Sequence, residues 1–172
     1  MIPELGQLAL ILALLVATVQ GVVPLVGAAR RDATLMAFAR PAAITQFALV
    51  ALAFGCLAAS FLLSDFSVAN VAQNSFSALP APYKLAASWG SHEGSLLLWV
   101  LMLTGWATVV ALRSRNPPAV LQARVLAVMG LIGIGFLLFM LFTSNPFLRL
   151  VPAAPEGRDL NPLLQDPGMV IH

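Results

Sequence analysis

Two places in this sequence hold residues able to do chemistry. The first is Tyr83–Trp99, read YKLAASWGSHEGSLLLW, with His92 and Glu93 side by side and Trp89 and Trp99 around them. The second is His172, which follows apolar Met169, Val170 and Ile171. These are the only two histidines of the chain. A neutral imidazole nitrogen can bind a metal or a haem iron, and near neutral pH the ring can also carry a proton. A His-Glu pair at the start of an apolar run is costly in a membrane and asks for a reason. No other spacing in the sequence points to catalysis. Cys-x-x-Cys, His-Glu-x-x-His, Gly-x-Ser-x-Gly, a phosphate loop and Gly-x-Gly-x-x-Gly are all missing.

The elements that must position these residues are apolar helices. Of the 172 residues, 60% are hydrophobic and only 9% charged. A soluble domain is nearer a quarter charged, and a chain this short cannot bury so much apolar surface around one core. Lipid can accept it, so the expected class is an all-α polytopic membrane protein. Four runs are long enough to cross a bilayer, at about 5–28, 42–63, 92–112 and 125–143. They make a transmembrane region over 1–143. Two segments without regular structure are expected on one side of it, the loop 64–91 and the proline-rich segment 144–172. Continuous apolar runs without alternation exclude barrel strands. Pro24 should kink the first helix, and Gln7, Gln20 and Gln46 should hydrogen-bond between helices. Gly130, Gly133 and Gly135 read as helix packing. The aromatics Phe66, Phe76, Tyr83 and Trp89 suggest that the 64–91 loop lies partly at the headgroup level, with a short helix starting near Pro80.

The positive-inside rule gives an orientation. The first and third connectors carry Arg30, Arg31, Arg40, Arg113, Arg115 and Arg124, against Lys84, Arg149 and Arg158 on the other side. The six-arginine side is therefore expected in the cytoplasm, with the N-terminus, the 64–91 loop and the tail outside. The formal charge of +2 is spread singly or in pairs with no basic face, so nucleic-acid binding is not expected. Cys56 lies alone in an apolar run and reads as a small core residue.

With Ser91 as a cap, His92 and Glu93 fall in the first turn of the third span. Trp89, His92, Trp99, Leu103 and Trp106 follow one another by three, seven, four and three residues, so they share one helix face. Two readings stay open. The tryptophans fill the bundle while His92 and Glu93 satisfy loop groups, or the face contacts a flat aromatic ligand. Gly90, Gly94 and Ser95 would let another backbone approach beside it.

Three stretches carry a resemblance. WGSHEGSLLLW (Trp89–Trp99), RVLAVMGLIGIGFLLFMLFTSNPF (Arg124–Phe147) and EGRDLNPLLQDPGMVIH (Glu156–His172) resemble the amino-terminal part of the CcmF family of cytochrome c-type biogenesis haem lyases. The resemblance implies a bacterial inner-membrane protein that receives haem b from a haem chaperone and attaches it to Cys-x-x-Cys-His of apocytochrome c. It implies thiol-reducing and apocytochrome-presenting maturation proteins as further partners. It implies His172 as a haem axial ligand, since the family's periplasmic ligand follows the DLNPLLQDPG motif. Trp89, His92 and Trp99 are secondary candidates for contact with the cofactor, and the resemblance carries no assigned role over to His92 or Glu93. The family's tryptophan-rich motif and its other haem-ligating histidines lie downstream of the matched region. The expectation is therefore a fragment or a split product that is incomplete as a lyase alone. The alternative is a non-catalytic subunit or packing segment of a transporter or quinone-linked complex, with His92 and Glu93 in a proton path.

Overall fold

In the computed structural model, residues 1–113, 118–159 and 168 are described. Among the described residues seven helices follow in order: α1 (Ile2–Arg30), α2 (Ala33–Ala37), α3 (Ala39–Leu62), α4 (Ala69–Asn74), α5 (Ala81–Gly90), α6 (His92–Arg113) and α7 (Ala119–Phe142). No strand occurs among the described residues beyond an isolated antiparallel bridge between Val68 and Arg149. Four helical stretches, those of α1, α2–α3, α6 and α7, are long and apolar enough to span a bilayer. This is a multi-pass membrane protein. Its outer surface is apolar, with Leu15, Leu52, Trp99, Trp106 and Phe142 all exposed. Lipid, unlike water, places no penalty on such a surface.

The helix ends follow from local chemistry. Arg31 takes the left-handed conformation at the end of α1 (φ 56°), and the Asp32 amide closes onto the Gly27 carbonyl at 2.9 Å. Asp32 Oδ1 then accepts from the amides of Thr34 and Leu35 at 2.9 and 3.2 Å, and so caps the single turn of α2. Helix α7 begins at Ala119, earlier than the apolar run alone predicts. Pro118 stands just before it and fits that position, whereas polar Gln122 and Arg124 continue the helix beyond the hydrocarbon run. Helix α1 continues on both sides of the buried Pro24 instead of stopping there.

The spans alternate in direction, so α1 starts, α3 ends, α6 starts and α7 ends at one end of the bundle. Leu10, Val50, Leu57, Phe61, Leu97, Leu137 and Met140 are fully buried between the spans, with Ala13, Ala17 and Ala53 filling the close crossings. In lipid, helix association rests on such close packing of small residues. Gly130 lies at one such close crossing. A Cβ there would come within 2.9 Å of the Gly21 backbone nitrogen and 3.1 Å of Gln20 Cγ, so α1 and α7 touch backbone to backbone. Gln20 Nε2 donates to the Leu126 carbonyl at 2.8 Å, linking the same two helices, and Thr108 Oγ1 donates to the Ala43 carbonyl at 3.3 Å, linking α6 to α3. Gln46 points its amide nitrogen at Gly133, where it has no hydrogen-bond partner.

In the 64–91 loop a short helix starts after Pro80 as expected, and the loop is otherwise more ordered than the sequence predicts. It holds two helices, α4 and α5, and its aromatics Phe66, Phe76 and Tyr83 pack partly buried against the main core cluster.

Candidate functional site

The end of the bundle that carries α4, α5 and the tail holds most of the polar organisation. It is built on two joints. The first is the elbow between α5 and α6, formed by Trp89–Ser95. Ser91 Oγ accepts from the Gly94 amide at 3.0 Å and caps α6. Ser95 Oγ donates to the Trp89 carbonyl at 2.5 Å, and Ser88 Oγ to the Leu85 carbonyl at 2.7 Å. Gly94 carries no side chain because a Cβ would overlap the Ser88 carbonyl oxygen. The small residues of WGSHEGS thus let the last turn of α5 lie on the first turn of α6.

The second joint is a clasp on the tail. Arg149 forms ion pairs with Glu4, at the start of α1, and with Asp65, just after α3, the latter at 3.3 Å. It also donates to Ser67 Oγ, which itself donates to Asp65. Burial is partial, with about a third of the Arg149 and Asp65 side chains exposed. The Glu4 carboxylate holds the Arg149 guanidinium above its usual pKa, against a smaller opposing effect of burial. Around it the backbone closes a ladder: the Ala69 amide to Leu148, Leu150 to Ser67 (both 2.8 Å) and Arg158 to Ala72 (2.7 Å). Glu156 accepts from the Ser77 amide at 3.0 Å and from Ser77 Oγ at 2.7 Å. Lys84 Nζ reaches Ser64 Oγ at 2.7 Å and the Ser77 carbonyl at 3.0 Å. The tail therefore runs across the α3–α4 connector and is held there up to Arg158.

The candidate residues fall in different places. His92 is exposed and stands edge-on to Phe139, ring centres 6.3 Å apart and planes at 83°. It sits at one margin of a shallow apolar groove of about 450 Å³ between α6 and α7, lined also by Leu96, Ile132, Gly135, Phe136 and Phe139. Gly135 does not pack against a helix, unlike Gly130; a Cβ there would meet nothing. Trp99 and Trp106 point away from the four spans, 59% and 66% exposed, so of the two open readings the one in which they fill the space between these spans does not hold. Trp89 is half-buried at the elbow. No hydrogen bond among the described residues joins His92 to Glu93. The spacing argument found the shared face, but not which way it points. His172 lies outside the described residues, and so do Met169, Val170 and Ile171 before it.

Sequence reasoning missed Glu4, Asp65 and Arg149 as a group. A signal existed: each is a lone charge beside an apolar run, and such charges are usually paired. Among the described residues no cluster of three or more His, Cys, Asp and Glu could hold a metal ion. The donor chemistry by the groove is one imidazole among apolar and aromatic walls. Such walls suit a flat apolar group better than a hard cation, which needs several oxygens.

Comparison with known proteins decides the family. The family model described as cytochrome C assembly protein matches residues 89–172. The chain is 63% identical to the cytochrome c-type biogenesis protein CcmF of Pseudomonas aeruginosa, over 100% of this chain and 26% of that protein. It is 54% identical to the CcmF of Escherichia coli, over 100% of this chain and 27% of that one. The chain belongs to the CcmF family. A solved structure titled Cytochrome c Heme Lyase CcmF superposes with a TM-score of 0.79 and 29% identity, covering 86% of this chain and 25% of that one. The chain thus spans about a quarter of the length of the CcmF proteins it matches.

Proposed function

We propose that this chain is the amino-terminal section of a CcmF-type haem lyase, which receives haem from a haem chaperone and attaches it to the Cys-x-x-Cys-His thiols of apocytochrome c. The observation that carries this reading is the 63% identity along the whole chain to a CcmF protein. Haem b, when bound, supplies two vinyl groups that accept the thiols and an iron that takes an axial imidazole. His172 is the residue of this chain that would provide that imidazole. The Arg149 clasp and the Glu156–Ser77 bonds fix the tail that leads to it. His92, with Trp89 and Trp99 near it in sequence, is a secondary contact, for which the groove beside Phe139 offers an apolar wall. The protein lies in the bacterial inner membrane with the clasped end in the periplasm. The arginines at the other end of the bundle favour that orientation. Apocytochrome c and the thiol-reducing and apocytochrome-presenting maturation proteins then meet it on the periplasmic face.

The test uses the full-length protein. It should purify with a haem Soret band, and His172→Ala should lose most of that band together with c-type cytochrome yield. Unchanged band and yield in the variant sink the ligand assignment. No haem band in the parent protein overturns the haem reading itself.

A further inference from the structure

The opposite end of the bundle has its own chemistry. There α1 ends at Arg30, α3 begins beside Arg40, α6 ends at Arg113 and α7 carries Arg124 in its first turns. All four side chains are exposed, as is Arg31. The acids of the described residues lie at the clasped end, except Asp32. The Asp32 carboxylate is engaged as the cap of α2. No carboxylate among the described residues pairs with Arg40.

Arg40 borders a pocket of about 310 Å³ between α2, the start of α3 and the start of α7. Its lining is otherwise small or apolar, including Ala33, Met36, Ala39 and Leu126. Gln122, the other polar residue there, turns its amide nitrogen towards the Val110 and Ala111 carbonyls at 3.4 and 3.5 Å. The pocket so combines an apolar floor with one guanidinium that no described carboxylate pairs with, at a level where the hydrophobic spans give way to arginines. A guanidinium presents a planar fork of donors that matches phosphate oxygens, and apolar walls suit the adjoining glycerol and upper acyl carbons.

We infer that this pocket binds the phosphate headgroup of an anionic phospholipid in the leaflet at the arginine-rich end, with Arg40 as the phosphate contact. Charge complementarity selects this occupant over a zwitterionic lipid, because the exposed Arg30 and Arg31 at the same end of the bundle favour a net negative headgroup. The α2 turn forms one wall, so a bound lipid would also brace the connector between the first two spans.

Native mass spectrometry of the full-length protein, released from micelles doped with equal phosphatidylglycerol and phosphatidylcholine, tests this. Phosphatidylglycerol should be retained preferentially, and added salt should weaken the preference. Arg40→Gln should lower the preference about fivefold, the effect of one arginine near a lipid surface. Arg40→Lys should keep most of it, and Arg113→Gln, outside the pocket lining, should leave it within about twofold. Equal retention of both lipids, retention of neither because another stretch of the full-length protein fills the pocket, or an unchanged preference in Arg40→Gln overturns the inference. If Arg40→Gln fails to fold, the parent protein's preference and its salt dependence decide.

Discussion

Arg149 Nε donates to the Glu4 carboxylate at 3.0 Å, joining two residues 145 positions apart in the chain. One guanidinium spans the start of α1 and, through Asp65, the end of α3. The tail is thereby fastened to two transmembrane helices by charge and by the short backbone ladder beside it.

Arg149→Gln should therefore loosen the tail without unfolding the spans. Hydrogen exchange at the Ala69 and Leu150 amides, which bond to Leu148 and Ser67, should speed up at least tenfold, while amides in the middle of α3 keep their protection. Equal protection in variant and parent would mean that the ladder holds without the ion pairs.

Glu156 gives the tail a pH dependence. The hydrogen bond from Ser77 Oγ, followed by those from the Gly157 and Ser77 amides, lowers its pKa below the ordinary carboxylate value. A group with a lowered folded pKa adds stability that is fully present above the unfolded value and is lost as pH falls through the folded one. The Glu156–Ser77 contact should hold at neutral pH and release in acid. Exchange at the Ser77 amide, taken relative to the intrinsic rate at each pH, should rise from neutral to acid pH in the parent and be nearly flat in Glu156→Gln.

The two glycines of α7 predict opposite outcomes. Gly130→Val places carbons against the Gly21 backbone and should cost about 1–3 kcal/mol by overpacking, seen as lower thermal stability in detergent. Gly135→Ala meets open space and should be neutral, or stabilising by up to about 1 kcal/mol through helix propensity. Similar losses in both would contradict the packing described for Gly130.

Ser91→Ala removes the cap of α6 and should cost about 1 kcal/mol. Exchange at the Gly94 amide is the local reading. The fold of α3 and α7 should not change.

The sequence shows the spans clearly because apolar runs of bilayer length leave few alternatives. The start of α6 was legible because Ser91 is a cap residue by type and it caps by geometry. Helix α2 was not, since a single turn set by Asp32 has too little apolar periodicity to stand out between Arg31 and Pro41. The direction of the Trp99 and Trp106 face was also hidden, because a period of 3.6 gives a shared face and leaves its partner open. Which charges pair in the clasp was hidden for a different reason. Glu4, Asp65 and Arg149 are ordinary single charges, and only the folding of the tail across the bundle brings them together.

The chain's single cysteine acquires a use from this arrangement. Cys56 is buried, and both its Cβ and the Phe147 ring border the space that a side chain on Gly6 would occupy. Cys56 therefore sits beside the same stretch of tail that Arg149 fastens, and the labelling rate of its thiol should rise when Arg149→Gln lets that stretch lift away.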